Sequence, residues 1–357
     1  MTRASSPRLE RWSNVVSHVS SVVDLDASAR AHRALLRRRG VRRAGDLLHL
    51  ALLYGPGGLS LRAAAGFATE AGIADVCDVS LLNRLRNAGD FLADVLACLM
   101  AHARGEAAAD RQVHLSLVDG STVSVPGSGG SDWRVHARYE PARGRFTDLV
   151  VTKASTAEAL CCVAVRPGDV LVQDRGYARV RNFAHARARG ADFITRIGWR
   201  SLRLCDLSGH SFDLLAALPK GDAVLEHQVR VGHGCDAQPA GLIIAAKPPD
   251  ATQRQQQRVL RKARRKCTST DPRSLHAAGF MMLLTSLSPK QATPEQVVRL
   301  YRMRWQVETA FKRLKSLGGL ADLPASDPRL ARSWLLAHLI AAALIEASLD
   351  PGDGVPP

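Results

Sequence analysis

The sequence predicts an α/β protein: an N-terminal all-helical domain, then a sheet-and-helix core interrupted by a β-rich insertion. Three observations carry this. Apolar residues recur at helical spacing through residues 1 to about 108. Residues 109–197 instead read strand, strand, strand, helix, strand, helix, strand. Residues 293–317 then form one long helical stretch with its own start and stop signals.

In the first region, residues 15–23, 27–39, 45–54, 61–67 and 80–102 show helical periodicity. Gly55-Pro56-Gly57-Gly58 and the region of Gly72 break it. Residues 37–43 are a basic run. Short helices around Leu61 feed a basic helix from Ser80, the pattern of a helix-turn-helix-like reader. Asn83, Arg84, Arg86 and Asn87 are then candidate groove contacts. A helical packing module with a solvated basic face fits the same pattern.

Next, Val113, Leu115 and Leu117 alternate with polar residues, a strand ending at Asp119. Residues 127–131 are a glycine-serine loop without the Gly-Lys-Ser/Thr that a phosphate cradle needs. Residues 133–139 and 145–152 flank Pro141-Ala142-Arg143-Gly144 as a hairpin. Residues 155–162 read as a short helix, 169–173 as a strand with Asp174 just past its end, 179–189 as a helix and 192–197 as a strand. Taken singly, Asp119-Gly120 and Asp174-Arg175-Gly176 are ordinary turn sequences.

Residues 198–276 interrupt the pattern with alternating runs at 201–207, 223–231 and 240–246. Residues 251–267 form a polar helix dense in Gln and Arg. Its Arg261, Lys262, Arg264 and Arg265 suit a rail for a phosphate backbone, and a solvated surface helix is the plainer reading. A strand at 279–287 follows. After the long helix come a loop at 324–328, a closing helix at 332–347 and a tail beyond Asp350 expected to be disordered.

The long helix opens with a Thr293-x-x-Gln296 capping box and Pro294 at its first position. Gly318-Gly319 close it. At about 100° per residue, Tyr301, Arg304, Glu308 and Lys315 share one narrow stripe. Leu300, Met303, Val307, Phe311 and Leu314 form an adjoining apolar stripe that should face a core. A lone carboxylate among cations at a buried edge suits a metal ligand beside a phosphate-binding surface. Surface ion pairs at four- and seven-residue spacing are the alternative.

Composition bounds the partners. The chain has 357 residues, room for two or three domains, with 49 Lys and Arg against 33 Asp and Glu, a net charge of +16. Such an excess points to a polyanion, nucleic acid first; a merely basic protein from a GC-rich genome is the alternative. Seven cysteines, an odd number without a C-x-x-C pair, fit a reduced cytosolic protein. His227, His233 and Cys235 match no standard zinc spacing. No membrane is expected, because the apolar stretch at 335–349 is short and carries His338 and Glu346, as a core helix would.

The spacing Tyr301-x2-Arg304-x3-Glu308-x6-Lys315 resembles the Tyr-Arg-Glu-Lys signature of the DDE transposases of bacterial insertion sequences, in the fourth insertion-sequence family. Val118-Asp119-Gly120-Ser121-Thr122 and Gln173-Asp174-Arg175-Gly176-Tyr177 resemble that family's other acidic motifs. The likeness spans roughly residues 60–345.

It implies a ribonuclease-H-like catalytic core, residues 109–197 and 277–350, split by an insertion at 198–276 and preceded by a DNA-binding domain at 1–108. Asp119, Asp174 and Glu308 would be catalytic and would hold two Mg²⁺ or Mn²⁺ ions, and Tyr301, Arg304 and Lys315 would hold DNA phosphates. The implied activity is hydrolysis at transposon ends followed by 3′-OH strand transfer into target DNA. Partners would be double-stranded DNA, both terminal inverted repeats and target, and a second copy of the chain on that DNA. A bacterial cytoplasmic, nucleoid-associated protein is expected. Some relatives place a tryptophan for a flipped base on the strand before that helix; here Phe280 or Met281 stands nearest. A catalytically silent DNA-binding derivative, or a nuclease without strand transfer, are the other readings.

Overall fold

Six helices come first: α1 (Pro7–Val22), α2 (Leu25–Ala31), α3 (Ala44–Tyr54), α4 (Leu61–Glu70), α5 (Asp78–Asn87) and α6 (Gly89–Gly105). The computed structural model describes residues 7–105, 114–221, 223–232, 237–316, 318–320, 323–324 and 326–348. The expectations for His233, Cys235, Leu317 and the tail lie outside these. Asp24 and Ser60 cap α2 and α4 through their side chains. The helix expected over 27–39 stops at Ala31, where Arg33 turns left-handed at φ 55°. The stretch 80–102 is two helices, divided at Ala88.

Nine strands make one sheet in the order β3-β2-β1-β4-β5-β9-β8-β7-β6. They are β1 (His114–Val123), β2 (Trp133–Glu140), β3 (Arg145–Lys153), β4 (Asp169–Gln173), β5 (Asp192–Arg196), β6 (Leu204–Cys205), β7 (Val224–Val231), β8 (Gln238–Ala246) and β9 (Phe280–Thr285). β1, β4 and β5 run parallel, with β2 antiparallel to β1 and β9 antiparallel to β5. α7 (Val180–Ala188) connects β4 to β5. Only a 3₁₀ turn at Leu160–Cys162 stands where a helix over 155–162 was expected.

The strand expected to end at Asp119 continues to Val123, because Gly120 to Val123 pair with β2 through Val123↔Trp133. The strands of the 198–276 stretch also extend this sheet, since β8 pairs with β9 from Gly241↔Thr285 to Ala246↔Phe280. Buried Arg138 of β2 forks onto Asp169 of β4 at 2.8 Å from each nitrogen, clamping the strands on either side of β1.

α8 (Pro249–Arg265) buries no residue, and α9 (Pro272–Ala277) leads into β9. The predicted long helix is two, α10 (Pro294–Arg302) and α11 (Trp305–Ser316). Its capping box forms as read, with Gln296 N–H donating to Thr293 Oγ1 at 3.3 Å. The break falls where Met303, Arg304 and Gln306 N–H donate to carbonyls three residues back, a tighter turn than the α ladder. α12 (Pro328–Ser348) closes the fold. It alone among the described residues is long and apolar enough to span a membrane, yet Leu330, Leu335, Leu339 and Ile340 are core.

Two cores lie on the two faces of the sheet. One joins α1–α6, α10–α12 and the face bearing Leu117, Val170 and Val172. The other joins α7 and the face bearing Val118, Leu171, Phe193 and Leu242. Burying both faces accounts for the unbroken Val170-Leu171-Val172 run of β4.

Candidate active site

Strand alternation decides where the aspartates point. Leu117 of β1 and Val172 of β4 face the α10–α11 side, so Asp119 and Asp174, two residues on, face it too. Val118 pairs with Gln173 in the parallel register, which sets the next residues, Asp119 and Asp174, side by side at one end of the sheet. α11 packs across β1 and brings Glu308 over them.

The three carboxylates meet on one guanidinium. Arg304 lies 3.5 Å from Asp119 Oδ2 and 3.9 Å from Asp174 Oδ2, and it donates a short hydrogen bond to Glu308 Oε1. Its side chain is 13 % exposed, whereas that of Glu308 is 48 % exposed. Tyr301 donates its hydroxyl to Asp174 Oδ1 at 3.2 Å. Lys315 donates to the Thr122 carbonyl at 2.8 Å. The tight turn between α10 and α11 thus falls on the residues whose side chains reach the strand ends.

The charges interact strongly. Burial pushes the Asp119 carboxyl up to about 6 against the pull of Arg304, and the charges of Asp174 and Glu158 act in the same direction as burial. Burial also works upward on Asp174, but Arg304, Arg196 and hydrogen bonds from the Arg175 backbone and Tyr301 outweigh it and hold this carboxyl below its ordinary value. Burial alone would loosen the proton on Arg304; Tyr301 and the three carboxylates reverse that and tighten it. Burial lowers Lys315.

An open groove of about 560 Å³ runs beside these groups, lined by Asp119, Ser121, Glu308, Phe311, Lys312 and Lys315. A mostly apolar cavity of about 750 Å³ lies elsewhere, between the α3–α4 loop, α11 and α12. The charge cluster makes the smaller groove the candidate site. Among the described residues, no three His, Cys, Asp or Glu side chains are set to grip a metal ion together. Arg304 stands among the carboxylates instead.

The remaining candidates have other surroundings. Arg84 donates to the carbonyls of Arg37 and Arg39 at 2.5 and 3.0 Å, and Arg86 pairs with Asp327 at 2.8 Å. Both are engaged within the chain. Arg261, Lys262, Arg264 and Arg265 lie along α8, which buries none of its residues. Phe280 packs edge-on against His276, with centroids 5.6 Å apart.

Sequence reasoning missed Glu158 and Arg134, and gave Tyr177 no role beyond its place in the second acidic motif. Glu158 lies behind the site, 3.9 Å from Arg134 Nη1, over Gly120 and Gly176. The clue was a glycine one or two residues after each aspartate. Tyr177 is fully buried, and its hydroxyl has no hydrogen-bond partner among the described residues.

Comparison with known proteins places the chain in a family. A family model described as "Transposase DDE domain" matches residues 114–344. The transposase of insertion sequence element IS421 from Escherichia coli is 38 % identical over 357 residues, 98 % of this chain and 96 % of the relative. The InsL protein of element IS186A from Escherichia coli K12, a putative transposase, is 38 % identical over 356 residues, with the same coverage of both chains. The transposase of IS231F from Bacillus thuringiensis subsp. israelensis is 23 % identical over 249 residues, 63 % of this chain and 52 % of the relative. The match covers the strands and helix that carry Asp119, Asp174 and Glu308, so this chain belongs to the DDE transposases of insertion sequences.

Proposed function

We propose that this protein is an active DNA transposase that hydrolyses phosphodiester bonds at the ends of its element and joins the freed 3′-OH to target DNA. One observation carries the reading: three carboxylates from β1, the end of β4 and α11 converge on a single cation. The strand order β3-β2-β1-β4-β5, with β1, β4 and β5 parallel, supports a ribonuclease-H-like core formed by 109–197 and 277–350 around the insertion.

The residues fit a divalent metal. All three donors are hard carboxylate oxygens, and the guanidinium among them stands in for a cation. Asp119, Asp174 and Glu308 would hold Mg²⁺ or Mn²⁺, in a two-ion centre. When bound, such ions supply Lewis-acid polarisation of the scissile phosphate and of the attacking and leaving oxygens.

The chain's own groups do the rest. Tyr301 orients Asp174 through its hydroxyl. Arg304, once the carboxylates no longer need it, carries a planar fork suited to a DNA phosphate. Lys315 and Lys312 line the groove and add positive charge beside the strand being cut. Burial raises the Asp119 carboxyl, and a dication bound beside it would favour its ionised form. The cations of α8 would track the duplex backbone, and the helices of 1–108 would read the terminal repeats. Two ends must be handled together, so a homodimer on DNA is proposed, in the bacterial cytoplasm on the nucleoid.

The test is Mg²⁺-dependent cleavage of DNA carrying the element's own terminal inverted repeats, with products resolved as cut or joined. Joined product is expected. Cut DNA without joining would reduce the protein to a nuclease. Tight binding without cutting would make it a silent DNA-binding derivative.

A further inference from the structure

Glu158 sits between β3 and the 3₁₀ turn before β4, on the sheet face opposite the two aspartates. Gly120 follows Val118 on that face, and a Cβ placed on it would lie 3.3 Å from Glu158 Cγ. A Cβ on Gly176 would fall 1.2 Å from Glu158 Oε2. The carboxylate therefore occupies the space that a side chain at 176 would fill. Each glycine neighbours one of the aspartates, so Glu158 abuts both segments that bear them. Arg134 is its ion-pair partner at a loose 3.9 Å, and Arg134 Nη1 donates to the Thr156 carbonyl at 3.0 Å.

A second observation points to this corner. Tyr177, fully buried on the same face, has a hydroxyl with no partner among the described residues, within electrostatic reach of Asp119 and Glu158. A buried O–H left unpaired is costly, and a polar occupant here would satisfy it.

We propose that Glu158 is a fourth carboxylate of the centre, a positioning residue that acts through Asp119 and Asp174 from behind the sheet and strengthens their hold on divalent cations. It rests on the metal-holding role of the aspartates put forward above. Glu158 is 25 % exposed, and a fixed negative charge in such a partly buried corner raises the affinity of nearby oxygens for a dication even without touching it. A fourth acid also accounts for glycine at both 120 and 176, which turn chemistry alone does not require: neither is among the glycines of positive φ.

The experiment is a Mn²⁺ titration of the full chain, followed by electron paramagnetic resonance in the presence of a generic DNA duplex, with melting temperature recorded in parallel. Glu158→Gln keeps the shape and removes the charge; it should bind Mn²⁺ about tenfold more weakly with little change in melting temperature. Gly176→Ala should expel the carboxylate and give a similar loss. Glu158→Gln binding within twofold of wild type, with only the melting temperature lowered, would overturn the proposal and leave Glu158 a structural partner of Arg134. Asp119→Asn separates this from the larger reading: if it too binds like wild type, the aspartates hold no metal and the proposed function itself fails.

Discussion

Replacing Arg304 with Gln tests the centre most directly. The substitution leaves Asp119, Asp174 and Glu308 facing one another without their shared cation. At 3.5 Å and an effective dielectric of about 20, one such pair attracts by about 5 kcal/mol before desolvation. Desolvation of the guanidinium offsets much of this, and Glu308 is half exposed, so its share is discounted. A net loss of about 2–3 kcal/mol in metal-free buffer is expected. Mn²⁺ should recover most of it, because ions can take over the neutralisation that Arg304 provides. The assay is urea unfolding of both proteins with chelator and with saturating Mn²⁺. An equal loss under both conditions would refute the idea that Arg304 and the metal serve the same carboxylates. No loss without metal would refute the electrostatic account of the cluster.

Asp119→Asn, Asp174→Asn and Glu308→Gln should each lower Mg²⁺-dependent cleavage on the order of a thousandfold while circular dichroism stays unchanged; one variant retaining full activity would remove that residue from the centre. Neutralising Arg261, Lys262, Arg264 and Arg265 together should flatten the salt dependence of DNA binding by about 0.9 in log–log slope for each phosphate these side chains neutralise, and an unchanged slope would make α8 a solvated surface helix. Burial pushes Glu346, which accepts the Phe146 N–H at 2.9 Å, up to about 7. Between its ordinary value and about pH 7 the folded chain therefore binds the extra proton, so stability falls as pH rises through that window, by up to about 3 kcal/mol. Glu346→Gln should remove that slope in urea unfolding followed from pH 5 to 8; an unchanged slope would assign it to other groups.

Local signals read well where local chemistry decides. Asp169–Gln173 is bounded by a glycine and an aspartate and was legible to the residue. The Thr293–Gln296 capping box formed as written. The stripe of Tyr301, Arg304 and Glu308 was also legible, because helical spacing survives a tightened turn well enough to keep three side chains on one side. What escaped depends on distant partners. Gly120-Ser121-Thr122 reads as a turn, and only pairing with Arg134, Val135 and His136 makes it strand. The break after Arg302 coincides with the Arg304 side chain's reach to Asp119 of β1, a distant partner that helix propensity does not register. Glu158 carries no motif of its own; its place is set by two missing side chains far off in sequence. For Arg84 and Arg86, nothing local reveals the Arg39 carbonyl or Asp327 that engage them within the chain.

The ladder between β8 and β9 bears on how such chains can be altered. β9 pairs with β5 at Ile194 to Arg196, flanked by the Ile197–Met282 and Ser286–Phe193 backbone bonds, and with β8 along its whole length from Phe280 to Thr285. The segment that leads to Glu308 thus pairs over a longer stretch with β8 than with β5. Excising residues 198–276 to make a smaller enzyme would strip one side of β9 and leave a sticky, unpaired border. Grafts from related proteins should succeed only where the incoming hairpin can dock in register against Met282 and Leu284.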